Sequence, residues 1–136
     1  MTFNVSPIGY VNSTLKDRLN APRQGWLGAP DARLQILPEF HDSLEGMQTG
    51  QQIWILTWLH RAERSTLKVH PGKDPQNPLT GVFATRSPDR PNPIGLHRTR
   101  VLKMDGDGCL HVEGLEAIDG TPILDIKPVL EGPADL

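Results

Sequence analysis

The feature that most restricts the fold of this chain is how often glycine and proline interrupt it: thirteen of each occur among 136 residues. Proline fixes φ and lacks the amide donor that a helix interior needs, and glycine costs stability inside a helix. The pattern therefore favours many turns over long helices. Residues 5–11 (VSPIGYV) suit a short strand after a proline, and residues 14–33 suit a long irregular loop. Leu34–Leu37 is a brief alternating run, and residues 38–44 suit a helical turn. Gln52–Leu59 (QIWILTWL) is the most apolar segment, and its β-branched and aromatic residues predict a buried strand. Residues 60–80 are polar and turn-rich, and 81–85 form a second strand candidate. Residues 98–104 and 109–114 alternate around Asp105-Gly106-Asp107-Gly108, a strong hairpin signal because Asp-Gly supplies positive φ. Residues 115–118 and 123–127 flank the turn Asp119-Gly120-Thr121-Pro122. Regular short strands with little helix predict an all-β fold, a closed barrel or an open barrel-like sheet.

A chain of this length supports one hydrophobic core, so residues 1–136 are read as a single domain. The net charge of -2 excludes a histone-like character, and an anionic partner would have to meet a local basic patch. Cys109 is the only cysteine, which rules out an intrachain disulfide and fits a reducing compartment. No charged and then apolar leader follows Met1, and no apolar run approaches the ~18 residues of a membrane span. A cytoplasmic protein without membrane contact is expected.

Glycine-rich nucleotide fingerprints, the P-loop, the Gly-x-Ser-x-Gly elbow and zinc-type Cys/His spacing are all missing. The five histidines are scattered, and no metal is expected. The stretch FATRSPDRPNPIGLHRTR (residues 83–100) stands apart. Pro88, Pro91 and Pro93 stiffen it and push Ser87, Arg90 and Asn92 towards extended geometry. Gly95 permits a close backbone approach. Guanidinium groups such as Arg86 and Arg90 suit carboxylates, phosphates and aromatic faces. Two readings stay open for this loop: an anion- or nucleotide-binding element, or a rigid turn whose arginines pair with acidic neighbours such as Asp89. Further polar clusters are Ala21-Pro22-Arg23-Gln24, His60-Arg61 at the end of the apolar strand, and Glu113-Gly114-Leu115-Glu116, followed by Asp119-Gly120-Thr121-Pro122. Each, taken singly, is also what an ordinary solvated surface looks like.

The run GVFATRSPDRPNPIGL (residues 81–96) closely resembles the hallmark of the TsaA-like family of TrmO-type tRNA methyltransferases. Pro7-Ile8-Gly9-Tyr10-Val11, Pro22-Arg23-Gln24, the Ile53–Leu56 strand ending in His60, and DGTPILDIKP (residues 119–128) follow in the family's order, so the resemblance spans essentially the whole chain. It implies a compact TsaA-like β-barrel with irregular Pro/Gly-rich loops, S-adenosyl-L-methionine as cofactor, a homodimer with sites near the subunit interface, and tRNA as partner. The activity it implies is N6-methylation of a threonylcarbamoyl-adenosine beside the anticodon; the alternatives are a stand-alone family member methylating a small molecule or another nucleoside, and a non-catalytic S-adenosyl-L-methionine-binding module. Motif matching assigns cofactor contacts to Pro22, Arg23, Gln24, His60, Arg61, Arg86, Leu96, Glu113, Gly114, Leu115 and Glu116. Within that frame Arg86 would face a carboxylate or the substrate, and Glu116 would accept from a ribose hydroxyl or attract a sulfonium. Arg90 and Asn92 are loop candidates for substrate contact. Asp119, Asp125 and His60 are candidate bases, with no preference among them. The chain departs from the family at His97, where serine is usual, and at Gly50-Gln51-Gln52. It also stops at Leu136, whereas many tRNA-modifying members carry an extra C-terminal region.

Overall fold

The structure, a computed structural model, describes residues 1–18, 20–23 and 25–135. Eight strands carry the fold: β1 (Gly9–Asn12), β2 (Ala32–Ile36), β3 (Gln52–Trp58), β4 (Lys68–Val69), β5 (Thr80–Gly81), β6 (Ile94–Met104), β7 (Cys109–Val112) and β8 (Pro122–Pro128). Among the described residues helix is confined to short 3-10 segments, the longest Pro38–Leu44, in keeping with the density of proline and glycine. Among the described residues no helix is long and apolar enough to cross a membrane.

Six strands form one ring in the order β1-β2-β7-β6-β3-β8. The ring closes because β8 pairs antiparallel with β3 along one edge and with β1 along the other. Strands β4 and β5 make a separate two-stranded ribbon. Alternation along each strand sends one face inward, and β3 and β6 show strict alternation from their first residues. Val11, Leu34, Ile36, Ile53, Ile55, Val101, Leu110, Val112 and Ile123 fill the interior. At one end of it the filling changes character, because Thr57 and His97 are also buried there.

Several elements differ from the sequence reading: the first strand spans only Gly9–Asn12 of residues 5–11, and the turn-rich residues 60–80 contain the short strand β4. Residues 82–84 form a 3-10 turn, and only Thr80–Gly81 is strand, since the loop must reverse before its proline run. Residues 115–118 are not a strand, although Leu115, Ala117 and Ile118 are buried. Their apolar content reflects core packing instead of ladder pairing. Strand β6 begins at Ile94, four residues before the alternating run at Arg98, because the pairing with β3 extends to Trp58↔Ile94.

Candidate functional site

The buried polar end of the ring starts with a bare backbone. Thr57 on β3 pairs with Gly95 on β6. A side chain at residue 95 would collide with the Thr57 hydroxyl and His97 Nε2. That space belongs to a hydrogen-bonded chain. His97 Nε2 lies 2.7 Å from Thr57 Oγ1, and Nδ1 lies 2.6 Å from Glu116 Oε1. A carboxylate only accepts, so Nδ1–H donates to Glu116, and in the neutral ring Nε2 accepts from the threonine hydroxyl. The His97 side chain is 5% exposed and that of Glu116 is 11%.

Glu116 reaches this point because residues 113–116 run back along β6. The Thr99 hydroxyl donates to Glu113 O, and the Glu113 amide donates to Arg100 O at 3.0 Å. The same segment is stitched to the loop preceding β2. The Gly114 amide donates to Asp31 Oδ1 at 2.9 Å, and the Leu115 amide donates to Pro30 O at 2.9 Å. Gly25 packs so closely that an added Cβ would strike Gly114 O and lie 3.2 Å from Glu116 Oε2. The loop after Pro22 and the segment Glu113–Glu116 therefore meet in a glycine-lined seam, with the second oxygen of Glu116 on the seam side. Pro22 is half-buried. Arg23 is exposed and donates to Gly72 O at 3.0 Å. Gln24 lies outside the described residues.

The proline-rich loop is held by its own arginine. Arg90 donates to Ser87 O at 2.7 Å, Val82 O at 2.8 Å and Thr85 O at 2.7 Å. Asp89 pairs with Arg18 at 2.9 Å and accepts from the Glu63 amide at 2.8 Å. Arg64 donates to Pro91 O at 2.8 Å and to Asn92 Oδ1 at 3.1 Å. Arg61 donates to Lys16 O at 3.1 Å, and Arg18 donates to Arg61 O at 3.0 Å. The His60-Arg61 segment and the loop thus share one network. His60 is held below its ordinary pKa by partial desolvation and then by the Arg61 charge. Arg86 is exposed and makes no hydrogen bond or ion pair among the described residues. Leu96 points out of the ring, paired with Leu56, on the face of β6 opposite His97.

The remaining candidates lie elsewhere. Asp119 accepts from the Ser13 amide at 2.9 Å and pairs with Lys16 at 3.0 Å. First the amide bond and then the Lys16 contact lower its pKa. It lines an open groove of about 550 Å³ with Asn12, Asp31, Arg33 and His111. Asp125 faces outward and pairs with Lys127 at 2.9 Å. On the β6–β7 hairpin, ligating atoms of Asp105, Cys109 and His111 lie within 4.8 Å of one another. There His111 contacts Asp105 at 2.9 Å, and burial followed by the Asp105 and Asp107 charges pushes the Cys109 thiol up.

Sequence reasoning did not single out Thr57, Gly25 or the Arg18–Asp89 pair as part of the site. A signal for the first existed: strict alternation in QIWILTWL puts Thr57 on the same inward face as Ile53 and Ile55. The others depend on loop contacts across many residues, which no local pattern carries.

The closed all-β ring thus carries a largely enclosed carboxylate, Glu116, beside a glycine seam, and a separate stiff loop presents the Arg86 guanidinium; a carboxylate accepts from hydroxyl or ammonium donors, and a guanidinium donates to carboxylates. Residues 10–133 match the family described as tRNA-methyltransferase O N-terminal domain, and the chain belongs to that family. A probable S-adenosyl-L-methionine-binding protein of Methanothermobacter thermautotrophicus is 42% identical over 132 residues, covering 96% of this chain and 93% of the relative. An S-adenosyl-L-methionine-binding protein of Archaeoglobus fulgidus is 39% identical over 123 residues, covering 90% of this chain and 86% of the relative. The crystal structure of TrmO from Pseudomonas aeruginosa superposes with a TM-score of 0.75 at 37% identity, covering all of this chain and 61% of the solved one. This chain thus spans about three fifths of that protein.

Proposed function

We propose that this chain is an S-adenosyl-L-methionine-dependent methyltransferase that methylates N6 of threonylcarbamoyl-adenosine beside the anticodon of tRNA. The observation that carries the cofactor site is the seam in which Gly25 abuts Gly114 and Glu116, because Gly25 directly follows Pro22-Arg23-Gln24 in the chain and so brings the neighbourhood of one assigned segment against another. When bound, the cofactor supplies an electrophilic methyl group on a sulfonium. The residues fit such a ligand: Glu116 offers a carboxylate oxygen to a hydroxyl or an ammonium, and Arg86 is free to take a carboxylate. Pro22, Arg23, Glu113, Gly114 and Leu115 are the further cofactor contacts of this proposal, Leu115 through its backbone because its side chain is buried, and His60 and Arg61 would contribute from the separate network of the proline-rich loop. A fixed site of this kind works by positioning and by excluding water from an in-line displacement. The acceptor nitrogen must lose a proton, and the lowered pKa of His60 leaves its ring neutral near pH 7 and able to accept one.

The closed ring is read as the barrel that the family resemblance implies, supported by the double pairing of β8. A homodimer is supported by the outer face of β6 and β3, where the exposed Ile94 and Leu96 stand beside Trp58 and Leu56. A cytoplasmic location follows from a tRNA substrate. A second reading, a cofactor-binding module without transfer activity, is favoured by the two relatives matched along most of their length, both named as binding proteins.

The deciding experiment is mass analysis of tRNA nucleosides from cells with and without the gene. Loss of the N6-methyl group on threonylcarbamoyl-adenosine supports the proposal. Unchanged nucleosides overturn it, and S-adenosylhomocysteine binding without transfer to any acceptor establishes the second reading.

A further inference from the structure

In the chain Thr57–His97–Glu116 only Glu116 is placed to meet a ligand, while Thr57 and His97 are buried behind it. Thr57 is completely buried and Gly95 leaves no space above it, so its hydroxyl cannot reach a ligand. His97 is almost as deeply enclosed. Glu116 is the only member that touches the seam, and it does so with one oxygen while the other is engaged by His97. A glutamate side chain has three rotatable bonds and spreads over many conformers when unrestrained, so fixing one oxygen at 2.6 Å aims the other. The order of the chain gives the direction of the effect. Thr57 on β3 holds the imidazole, the imidazole holds Glu116, and Glu116 presents its remaining oxygen towards Gly25.

We propose that His97 is a positioning residue for the cofactor pocket: through Nδ1 it locks Glu116 in the conformer that receives a hydroxyl or ammonium donor of the ligand. The inference rests on the reading of the Gly25–Glu116 seam as the cofactor site. Its consequence is specific to one ring nitrogen. Affinity depends on the donor at the Nδ1 position, whereas the Nε2 contact with Thr57 serves mainly to keep the ring in place.

That asymmetry supplies the test. Asparagine places its amide near the Nδ1 position of a histidine, and glutamine places it near Nε2. Both substitutions remove ring volume from the core, so both lower the melting temperature, and stability does not distinguish them. Binding of S-adenosylhomocysteine is measured by calorimetry for the wild type, His97→Asn, His97→Gln and His97→Ala. The expected result is affinity within about threefold of wild type for His97→Asn and a loss of about tenfold or more for the other two, the scale of one hydrogen bond to a charged group. Equal losses in all three variants overturn the inference and reduce His97 to core packing, and wild-type affinity in all three overturns it as well. If the wild type itself binds no S-adenosylhomocysteine, the reading of the seam fails and the inference falls with it. A measurement on the intact protein covers variants that do not fold: histidine ring ¹⁵N–¹H spectra of the wild type should show a protonated Nδ1 on His97 whose signal moves when S-adenosylhomocysteine is added. Binding by calorimetry with an unmoved His97 signal overturns the inference while leaving the cofactor site intact.

Discussion

The two ends of the ring interior are built from the same strands but different chemistry. Towards one end β3 and β6 contribute Ile53 and Val101, which pack with Leu34, Ile36 and Leu110. Towards the other the same two strands contribute Thr57 and His97, whose polar atoms are all hydrogen-bonded. The apolar end gains from burial alone and is indifferent to direction, whereas the polar end is stable only while each donor meets its acceptor. On the proposed reading of the site, stability and ligand recognition are separated along one pair of strands. The largest effect expected comes from breaking the apolar side: Ile55→Ala removes a fully buried side chain and should cost about 2–5 kcal/mol in urea unfolding. Ile55 stands opposite His97 in the β3–β6 ladder but takes no part in its side-chain hydrogen bonds, so ligand affinity measured per folded molecule should stay near wild type. A parallel loss of affinity would show that the two ends are not separable.

Gly95→Ala attacks the polar end directly. Its methyl group would enter space held by the Thr57 hydroxyl and His97 Nε2, and both lie in a buried chain with no slack. Overpacking of this kind costs about 1–3 kcal/mol. Unlike Ile55→Ala it should also weaken S-adenosylhomocysteine binding, since the displaced imidazole carries Glu116 with it. Thermal melting and calorimetry on the same preparations read the two effects separately.

How much of this was legible beforehand depends on how local each feature is. The β6–β7 hairpin follows from Asp105-Gly106-Asp107-Gly108, because turn chemistry acts within a few residues. The all-β character follows from short alternating runs between glycines and prolines. Residues 115–118 misled for a physical reason: Leu115, Ala117 and Ile118 are buried by packing under the ring, and burial without pairing has the same composition as a strand. At the site, the separate assignments of Pro22-Arg23-Gln24 and Glu113–Glu116 came from motif matching. That their neighbourhoods touch through Gly25 depends on pairing between β2 and β7, which no local signal encodes. His97 was conspicuous in the sequence only as a departure at the end of the proline-rich motif. Its partners Thr57 and Glu116 are 40 and 19 residues away, so its role became visible only in the fold.

The same division between structure and recognition recurs within the proline-rich loop, in two arginines four residues apart. Arg90 spends its donors on three carbonyls of its own loop, while Arg86 has no described partner. Arg90→Ala should lower stability by roughly 1–2 kcal/mol and make the loop a protease target, because the carbonyls of Val82 and Thr85 lose charged donors. Arg86→Ala should leave the melting temperature unchanged and weaken binding of the cofactor or of tRNA. A destabilised Arg86→Ala with unaltered binding would reverse the two roles.

The smallest effect concerns Asp119, whose position among candidate bases came from sequence alone. In the structure the carboxylate accepts from the Ser13 amide and pairs with Lys16, on a part of the surface where both partners remain exposed to solvent. These contacts hold its pKa below the ordinary aspartate value. A depressed folded-state pKa means that the unfolded chain binds the proton more readily. The contribution to stability is therefore present at neutral pH and is lost as pH falls below about 4, the ordinary range for aspartate. Solvent screening limits its size, and Asp119→Asn should cost no more than about 1 kcal/mol at pH 7. The difference between wild type and Asp119→Asn in urea midpoint should be constant from neutral pH down to about 5 and should shrink towards zero in more acid solution. A difference that grows on acidification would mean that Asp119 is held protonated in the fold. It would then be a proton donor facing the open groove lined by Asn12, Arg33 and His111, and recognition would extend to that side of the ring.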